Sequence, residues 1–248
     1  SAAYPGYAKH VIDIMYKSQQ VVMDNSLGIG FVNIEPDQDG VLRRLPIVSE
    51  INGMLAPHFI LRLLCEHIQY DLNKMELVSK RKLILHDFPI GEDTKDVTLP
   101  LDGQGNMLIN YLSFEKIQRL SKSNKFVNLS AWDIMNAKPY DLSDKTVIFG
   151  DNSSTVKESS FTPMDGHLPN QLIFAMAMSN ISQNAFITTS LPIITILLLA
   201  LLILFLFFIA NKFDVFRFGI ISSSTLILYV LCNFLVFTYL GILIPVLK

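Results

Sequence analysis

Two stretches of the chain carry no charged side chain. From Leu168 to Asn211, and again from Phe218 to Leu247, there is no Asp, Glu, Lys or Arg. Within them lie two long apolar runs, Leu191 to Ala210 and Phe218 to Leu240. A helix of about 20 residues rises about 30 Å, the hydrocarbon thickness of a bilayer. Adjacent charge-free runs of that reach predict two membrane-spanning helices rather than two core helices of a water-soluble fold. Pro192 falls in the first turn of the first span, where a missing N–H costs no helical bond. In the second, Ser222, Ser223, Ser224 and Thr225 can bond back to backbone carbonyls or face another helix.

The preceding residues change period several times. Gly30 to Glu35 reads as a strand, Pro36-Asp37-Gln38-Asp39-Gly40 as a turn, and Val41 to Glu50 as a returning strand. Asn52-Gly53 is a strong two-residue hairpin signal and pairs Val48–Ile51 with Met54-Leu55. Pro57 to Tyr70 switches to helical spacing, with Ile60, Leu63, Leu64, His67 and Ile68 on one face. Leu83-Ile84-Leu85 and Met107 to Leu112 read as strands. Ser130 reads as an N-cap with Asp133 in the first turn behind it. Thr146-Val147-Ile148-Phe149 has the pattern of a strand buried on both faces. A polar loop from Asp151 to Gly166 and a helix from about Leu168 into the membrane complete the pattern. The fold class expected is α/β, a mixed sheet with flanking helices in an extracytoplasmic domain, followed by all-α transmembrane helices. The divisions are 1–185 for the domain, 186–211 and 218–240 for the spans, 212–217 for a connector, and 241–248 for the start of a possible third span.

Composition sharpens this. Half of the 248 residues are hydrophobic and the formal net charge is −2. No basic patch suggests nucleic-acid binding, so none is expected. Lys212 and Arg217 in the connector place it on the cytoplasmic side by the positive-inside rule, which leaves the domain outside. Neither span holds an acid or base, which argues against an ion or proton pathway. Cys65 and Cys232 lie in a helix and a span and are not expected to meet. The chain begins Ser1-Ala2-Ala3-Tyr4 and is read as an internal piece of a longer protein.

Chemistry is sparse. Glu35, Asp37 and Asp39 alternate before Gly40, but an EF-hand loop starting at Glu35 would need a carboxylate where Pro46 stands. The plain reading is a tight turn whose Asp side chains cap the backbone and pair with Arg43 or Arg44; a looser metal site or a ligand-facing role stays open. His10, His58, His67, His86 and His167 share no metal-ligand spacing and read as surface or helix-face residues. No phosphate loop, nucleophile elbow or metalloprotease pair is present. No catalytic residue, metal or cofactor is assigned, and this fragment is not expected to be an enzyme. Asp151 to Thr155 follows the expected strand, where an α/β sheet would bind a ligand. Asn128, Asn152 and Asn180 are glycosylation sequons if the source modifies secreted proteins.

These pieces occur in an order that resembles the type-2 CHASE domain family. The resemblance runs through Gly30-Phe31-Val32-Asn33, Pro36 to Pro46, Leu99-Pro100-Leu101-Asp102 to Gly105, and Ile109-Asn110-Tyr111. It continues through Leu129 to Ile134, Lys145 to Asp151 and Phe161-Thr162-Pro163, with hydrophobic spans after them. Met164 to Gln171 departs from the Pro-Gly and His-Ala-Asn stretch usual there. The resemblance implies a bacterial extracytoplasmic sensor domain in the inner (plasma) membrane, placed between one amino-terminal span and three trailing spans. Beyond those it implies a cytoplasmic output module, a nucleotide cyclase first and a histidine or Ser/Thr kinase otherwise. The chain would then lack the first span, the start of the domain and the output module. The expected partners are the lipid bilayer, an unidentified extracytoplasmic ligand and a second copy in a homodimer. The ligand-binding candidates are Asp37, Asp39, Arg43, Asp151 and Thr162. The runner-up function is a non-catalytic membrane-anchoring or assembly module, and behind it a membrane-anchored extracytoplasmic enzyme.

Overall fold

The computed structural model describes residues 24–51, 54–91, 93–112, 116–117, 119, 129–136, 141–143, 146–150, 159–164, 166–190 and 192–243. The chain divides into two units, one ending at Phe186 and one beginning at Ile187. Strands and helices intermix in the first, and long apolar helices make up most of the second, as expected.

In the first unit the segment read as one returning strand is divided among three partners. Val41 makes a single parallel bridge to Phe161. Strand β1 (Arg44–Pro46) pairs antiparallel with a later strand at Asn106–Leu108. Strand β2 (Val48–Ile51) pairs with β3 (Met54–Pro57) in the hairpin that Asn52-Gly53 predicts, Ile51 standing opposite Met54. Pro46 has no N–H to offer, and the first ladder stops there. Residues 32–35 form no ladder, and Phe31 alone bridges His58.

Helix α1 (Phe59–His67) buries Ile60, Leu61, Leu64 and Cys65. The buried stripe is rotated from the expected one: Leu63 is half-buried and His67 is exposed. A full Leu or Ile burial contributes roughly 2 kcal/mol, so this stripe sets the helix orientation. His58 is its N-cap, with Nδ1 accepting from the Ile60 amide at 3.4 Å. Contrary to the surface reading, His58 is fully buried, its ring 5.0 Å from Phe31 and Phe59 and 5.5 Å from Phe174. Burial pushes its pKa down to about 3, against a smaller opposing pull from the Asn33 backbone.

A three-stranded antiparallel meander follows: β4 (Met75–Ser79), β5 (Lys82–Ile90) and β6 (Asp93–Pro100). Its inner face buries Leu77, Leu83, Leu85, Phe88, Val97 and Leu99. Leu85 and Phe88 both point inward although three positions apart, because His86 and Asp87 together oppose only Asp96. That β-bulge puts Asp87 at a φ of 52°. Strand β7 (Asn106–Leu108) then returns to β1.

Helix α2 (Ala131–Asn136) starts as expected, with the Ser130 Oγ accepting from the Trp132 amide at 3.2 Å. Thr146 to Phe149 forms no strand, and Val147 and Phe149 are exposed; an apolar run needs a partner as well as a pattern. The segment read as a polar loop holds β8 (Ser159–Phe161), which forms a hairpin with β9 (His167–Pro169) where the helix was expected to start. Helix α3 (Asn170–Ser182) follows and packs on α1, burying Leu172, Ile173, Met176, Ala177, Asn180 and Ile181. It does not run on toward the spans. Asn184 adopts φ 53°, its amide donating to Ile181 O (3.2 Å) and that of Ala185 to Asn180 O (2.9 Å), a left-handed helix stop. The sequon Asn180 is buried, which closes it to a glycan in the folded state.

In the second unit α4 (Pro192–Lys212) and α5 (Val215–Leu240) are joined by Phe213 and Asp214 alone, a tighter connection than expected. Both are long and apolar enough to cross a membrane. Their less exposed positions recur every three or four residues, at Thr195, Leu199, Leu202, Leu206 and Ile209 and at Ser222, Thr225, Tyr229 and Asn233. Most of the rest of their surface is exposed aliphatic and aromatic carbon, as suits a lipid solvent. The Thr225 hydroxyl donates to Ile221 O at 2.8 Å, the back-bonding expected of that run. Gly241 ends α5 at φ 63°. The two-residue strands β10 (Thr188–Thr189) and β11 (Ile242–Leu243) then pair in parallel, so the chain enters α4 and leaves α5 at the same end.

Candidate functional site

The Pro36–Gly40 turn is closed by its own backbone. The Gly40 amide donates to Asp37 O at 2.8 Å and the Asp37 amide to Val41 O at 3.0 Å, with Gly40 at φ 80°. The Val41 amide donates to Asp39 Oδ1 at 3.1 Å. The Asp39 side chain therefore caps the turn, Asp37 closes it through its backbone, and both carboxylates face the next two basic residues. Arg43 grips Asp39 with both guanidinium nitrogens, Nη1 to Oδ1 at 2.9 Å and Nη2 to Oδ2 at 2.8 Å. Its Nη1 also donates to Asp37 Oδ2 at 3.1 Å. Arg44 Nη1 donates to the other Asp37 oxygen at 3.2 Å, and its Nε lies 3.9 Å from Asp102. Asp102 holds the 102–106 turn through the amides of Gln104 (2.8 Å) and Asn106 (3.2 Å).

Arg43, and after it the Val41 amide, hold the Asp39 carboxyl down at about 2, while Asp39 and Asp37 raise the Arg43 guanidinium further above its ordinary value. A depressed carboxyl supports the fold above its unfolded value of 3.8, and that support is lost as pH falls through about 2. All of these groups are partly exposed, so salt screens them. Two guanidiniums meet three carboxylates here. An anion would have to displace carboxylates already paired with both arginines, so the arrangement is a turn lock rather than an open anion cradle.

The other signature segments converge on this lock. The Leu42 amide donates to Phe161 O at 2.7 Å, and the Tyr111 hydroxyl donates to Leu42 O at 2.8 Å. Asn180 pairs with the Asn110 backbone like a neighbouring strand, Oδ1 accepting from its amide at 2.8 Å and Nδ2 donating to its carbonyl at 3.2 Å. Thr162 is buried beside this knot; its amide closes the β8–β9 turn onto Gly166 O at 2.8 Å. The structure thus brings Asp37, Asp39 and Arg43 together in one ion-pair network, with Thr162 one residue from the strand that pairs with Leu42. Asp151 lies outside the described residues. Among the described residues no group of three or more His, Cys, Asp or Glu side chains is placed to hold a metal ion.

Glycine permits two close approaches here. A Cβ on Gly30 would run into the Phe59 backbone and come within 3.0 Å of His58 C. Gly105, at φ 90°, presses against the Val48 carbonyl while its own carbonyl accepts from the Ile47 amide at 2.9 Å.

One cluster of titratable groups went unrecognised in the sequence, although its histidine lies at the surface as read. His86, in the bulge of β5, has Nε2 2.9 Å from Glu76 on β4 and Nδ1 3.1 Å from Asp96 on β6. Glu76 first, then Asp96, raise its pKa above 6.5. The interrupted alternation Leu85-His86-Asp87-Phe88 was the available signal, but it names no partner.

A family model for the CHASE2 domain matches residues 7–210. No curated protein matches the chain, and no solved structure does.

Proposed function

The chain belongs to the CHASE2 family, an extracellular sensory domain family found in signalling proteins, and from that premise we propose that it is the input region of a bacterial transmembrane receptor. In this reading the domain lies on the periplasmic side of the inner membrane. A stimulus there biases a cytoplasmic output module, a nucleotide cyclase in the first instance or a histidine or Ser/Thr kinase. The carrying observation is the family match, which runs from the domain into α4, a helix apolar enough to cross the membrane. The basic pair Lys212 and Arg217 flanking the α4–α5 connection favours a cytoplasmic connection. Because α4 is entered and α5 left at the same end, a cytoplasmic output requires a further crossing beyond Leu243. A ligand acts only through unequal affinity for two arrangements of the protein, and homodimerisation supplies a second way for such arrangements to differ.

The test joins a reporter nucleotide cyclase to the chain through one added span. Asp37→Asn and Arg43→Gln, separately introduced, should change cyclic-nucleotide output while membrane expression is kept. Unchanged output from correctly inserted, folded variants would overturn the sensory reading and favour plain membrane anchoring. A membrane-impermeant thiol reagent tests the topology on intact spheroplasts carrying Cys232→Ser. Cysteine at Ser26 should react and cysteine at Asp214 should not; the reverse pattern would invert the proposed orientation.

A further inference from the structure

The outer face of the β4–β5–β6 meander is held differently from its inner face. Inside, aliphatic side chains and Phe88 pack; outside, one imidazole spans three strands. The bulge explains how. By placing two residues of β5 against one of β6, it leaves a backbone amide without a ladder partner. The Asp96 carboxylate fills the gap, Oδ1 accepting from the Asp87 amide at 3.1 Å and Oδ2 lying 3.1 Å from His86 Nδ1. The other ring nitrogen meets Glu76 Oε2 at 2.9 Å.

An imidazole flanked by carboxylates on both nitrogens has a simple requirement. Carboxylates accept and do not donate, so both nitrogens must carry hydrogen. Only the imidazolium does. Neutral His86 would satisfy one carboxylate and turn a lone pair toward the other. The neighbouring charges do not replace the proton: Lys74 Nζ is committed to Asp87 at 3.1 Å, and Tyr70 Oη donates to the His86 carbonyl at 2.9 Å rather than to its ring. The ring and both carboxylates are partly open to solvent, so protons reach them freely.

We propose that Glu76, His86 and Asp96 form a proton-binding clip on the outer sheet of the domain, closed when His86 is charged and loosened at the bulge when it is neutral. One solvent proton adds to the free ring nitrogen on closing and leaves on opening, and no other bond changes. The sign follows from the raised pKa: the clip supports the fold fully below 6.5 and the support is lost as pH rises through the higher folded-state value. As a stimulus for signalling, the proton rests on the sensory reading above; as a binding site it does not.

The experiment therefore reads the clip and not the output. The full chain is reconstituted in nanodiscs, and the His86 ring is titrated by NMR while exchange of the Asp87 amide is followed. The wild-type midpoint should lie above 6.5. The isosteric pair Glu76→Gln and Asp96→Asn, both on exposed side chains, should return it to about 6.5, the ordinary value for the residue. Asp87 amide protection, corrected for intrinsic exchange, should fall severalfold across the wild-type midpoint. A midpoint at or below 6.5, or one unmoved by the double substitution, would overturn the site. A raised midpoint with constant Asp87 protection would overturn the switch. Neither failure touches the cyclase-fusion result, so the two readings stand or fall separately.

Discussion

Mild acid should destabilise the domain through His58, a residue far from neutral water and wedged among Phe31, Phe59 and Phe174. Its folded pKa of about 3 lies well below the 6.5 of an exposed histidine. Between those values the unfolded chain binds one proton more than the folded one, so stability falls as pH falls. At pH 5 the unfolded ring is almost wholly charged and the folded ring almost wholly neutral. The linkage integral from pH 7 to 5 is then about 2 kcal/mol, which holds for any folded value below ~4. For a unit of this size that is a melting shift of about 4–8 °C. His58→Asn is the comparison, because Asn keeps an acceptor for the Ile60 amide at the N-cap and cannot titrate. The variant loses ring packing at every pH, which lowers its baseline but not its slope. His86 titrates with the opposite sign in both proteins and cancels in the difference. Pulse proteolysis across urea at pH 5, 6 and 7, on the chain in nanodiscs, measures both slopes. Equal slopes would refute the assignment of acid sensitivity to His58.

Two other substitutions test the local geometry. Gly30→Ala drives a methyl into the Phe59 backbone and should cost about 1–3 kcal/mol as overpacking, read as a lowered urea midpoint. Asn184→Gly should be neutral or slightly stabilising, whereas Asn184→Ala should cost about 1 kcal/mol because a left-handed backbone tolerates Gly, and Asn with its short polar side chain, better than Ala; equal midpoints would show that the helix stop is not held there.

How much of this was legible in the sequence follows how local each cause is. The two long apolar helices, the Pro36–Gly40 turn, the β2–β3 hairpin and the Ser130 cap depend on residues within a few positions of one another, and they appear as read. Strands β4 and β6 were missed because Glu76 and the exposed run Asp93 to Asp96 are polar or charged, which leaves Leu77, Val97 and Leu99 too few to show an alternation. Thr146–Phe149 was over-read because an apolar run specifies a strand only where a partner strand waits. The pairing of Asp37 and Asp39 with Arg43 and Arg44 was legible at four to seven residues. The contacts of Asp102 with Arg44, and of Asn180 with Asn110 across 70 positions, depend on how whole segments are brought together. His58 read as a surface or helix-face residue because no local pattern announces that Phe31 and Phe174, from distant segments, close over it beside Phe59.

The helix stop at Asn184 changes how an event at the turn lock can reach the end of the domain. A continuous helix into the membrane would have carried it as a rod, but α3 ends at Ser182. What replaces the rod is a chain of hydrogen bonds from Leu42 O to the Tyr111 hydroxyl, and from adjacent Asn110 to the side chain of Asn180. Asn110 Nδ2 then donates to Ala185 O at 3.3 Å, just past the stop. Tyr111→Phe removes the first link and Asn180→Ala the second, and the two altered side chains share no direct bond. Removing Asn180 strands the Asn110 amide and carbonyl and should alone cost about 2 kcal/mol. If the links work as one unit, the double variant should depart from the sum of the singles by more than the ~0.5 kcal/mol scatter of independent sites. Spatial continuity alone does not establish coupling, and the cycle is what does. Strict additivity in the urea midpoints would mean that each bond fastens its own segment and that the lock is not coupled to the end of α3 through Asn110.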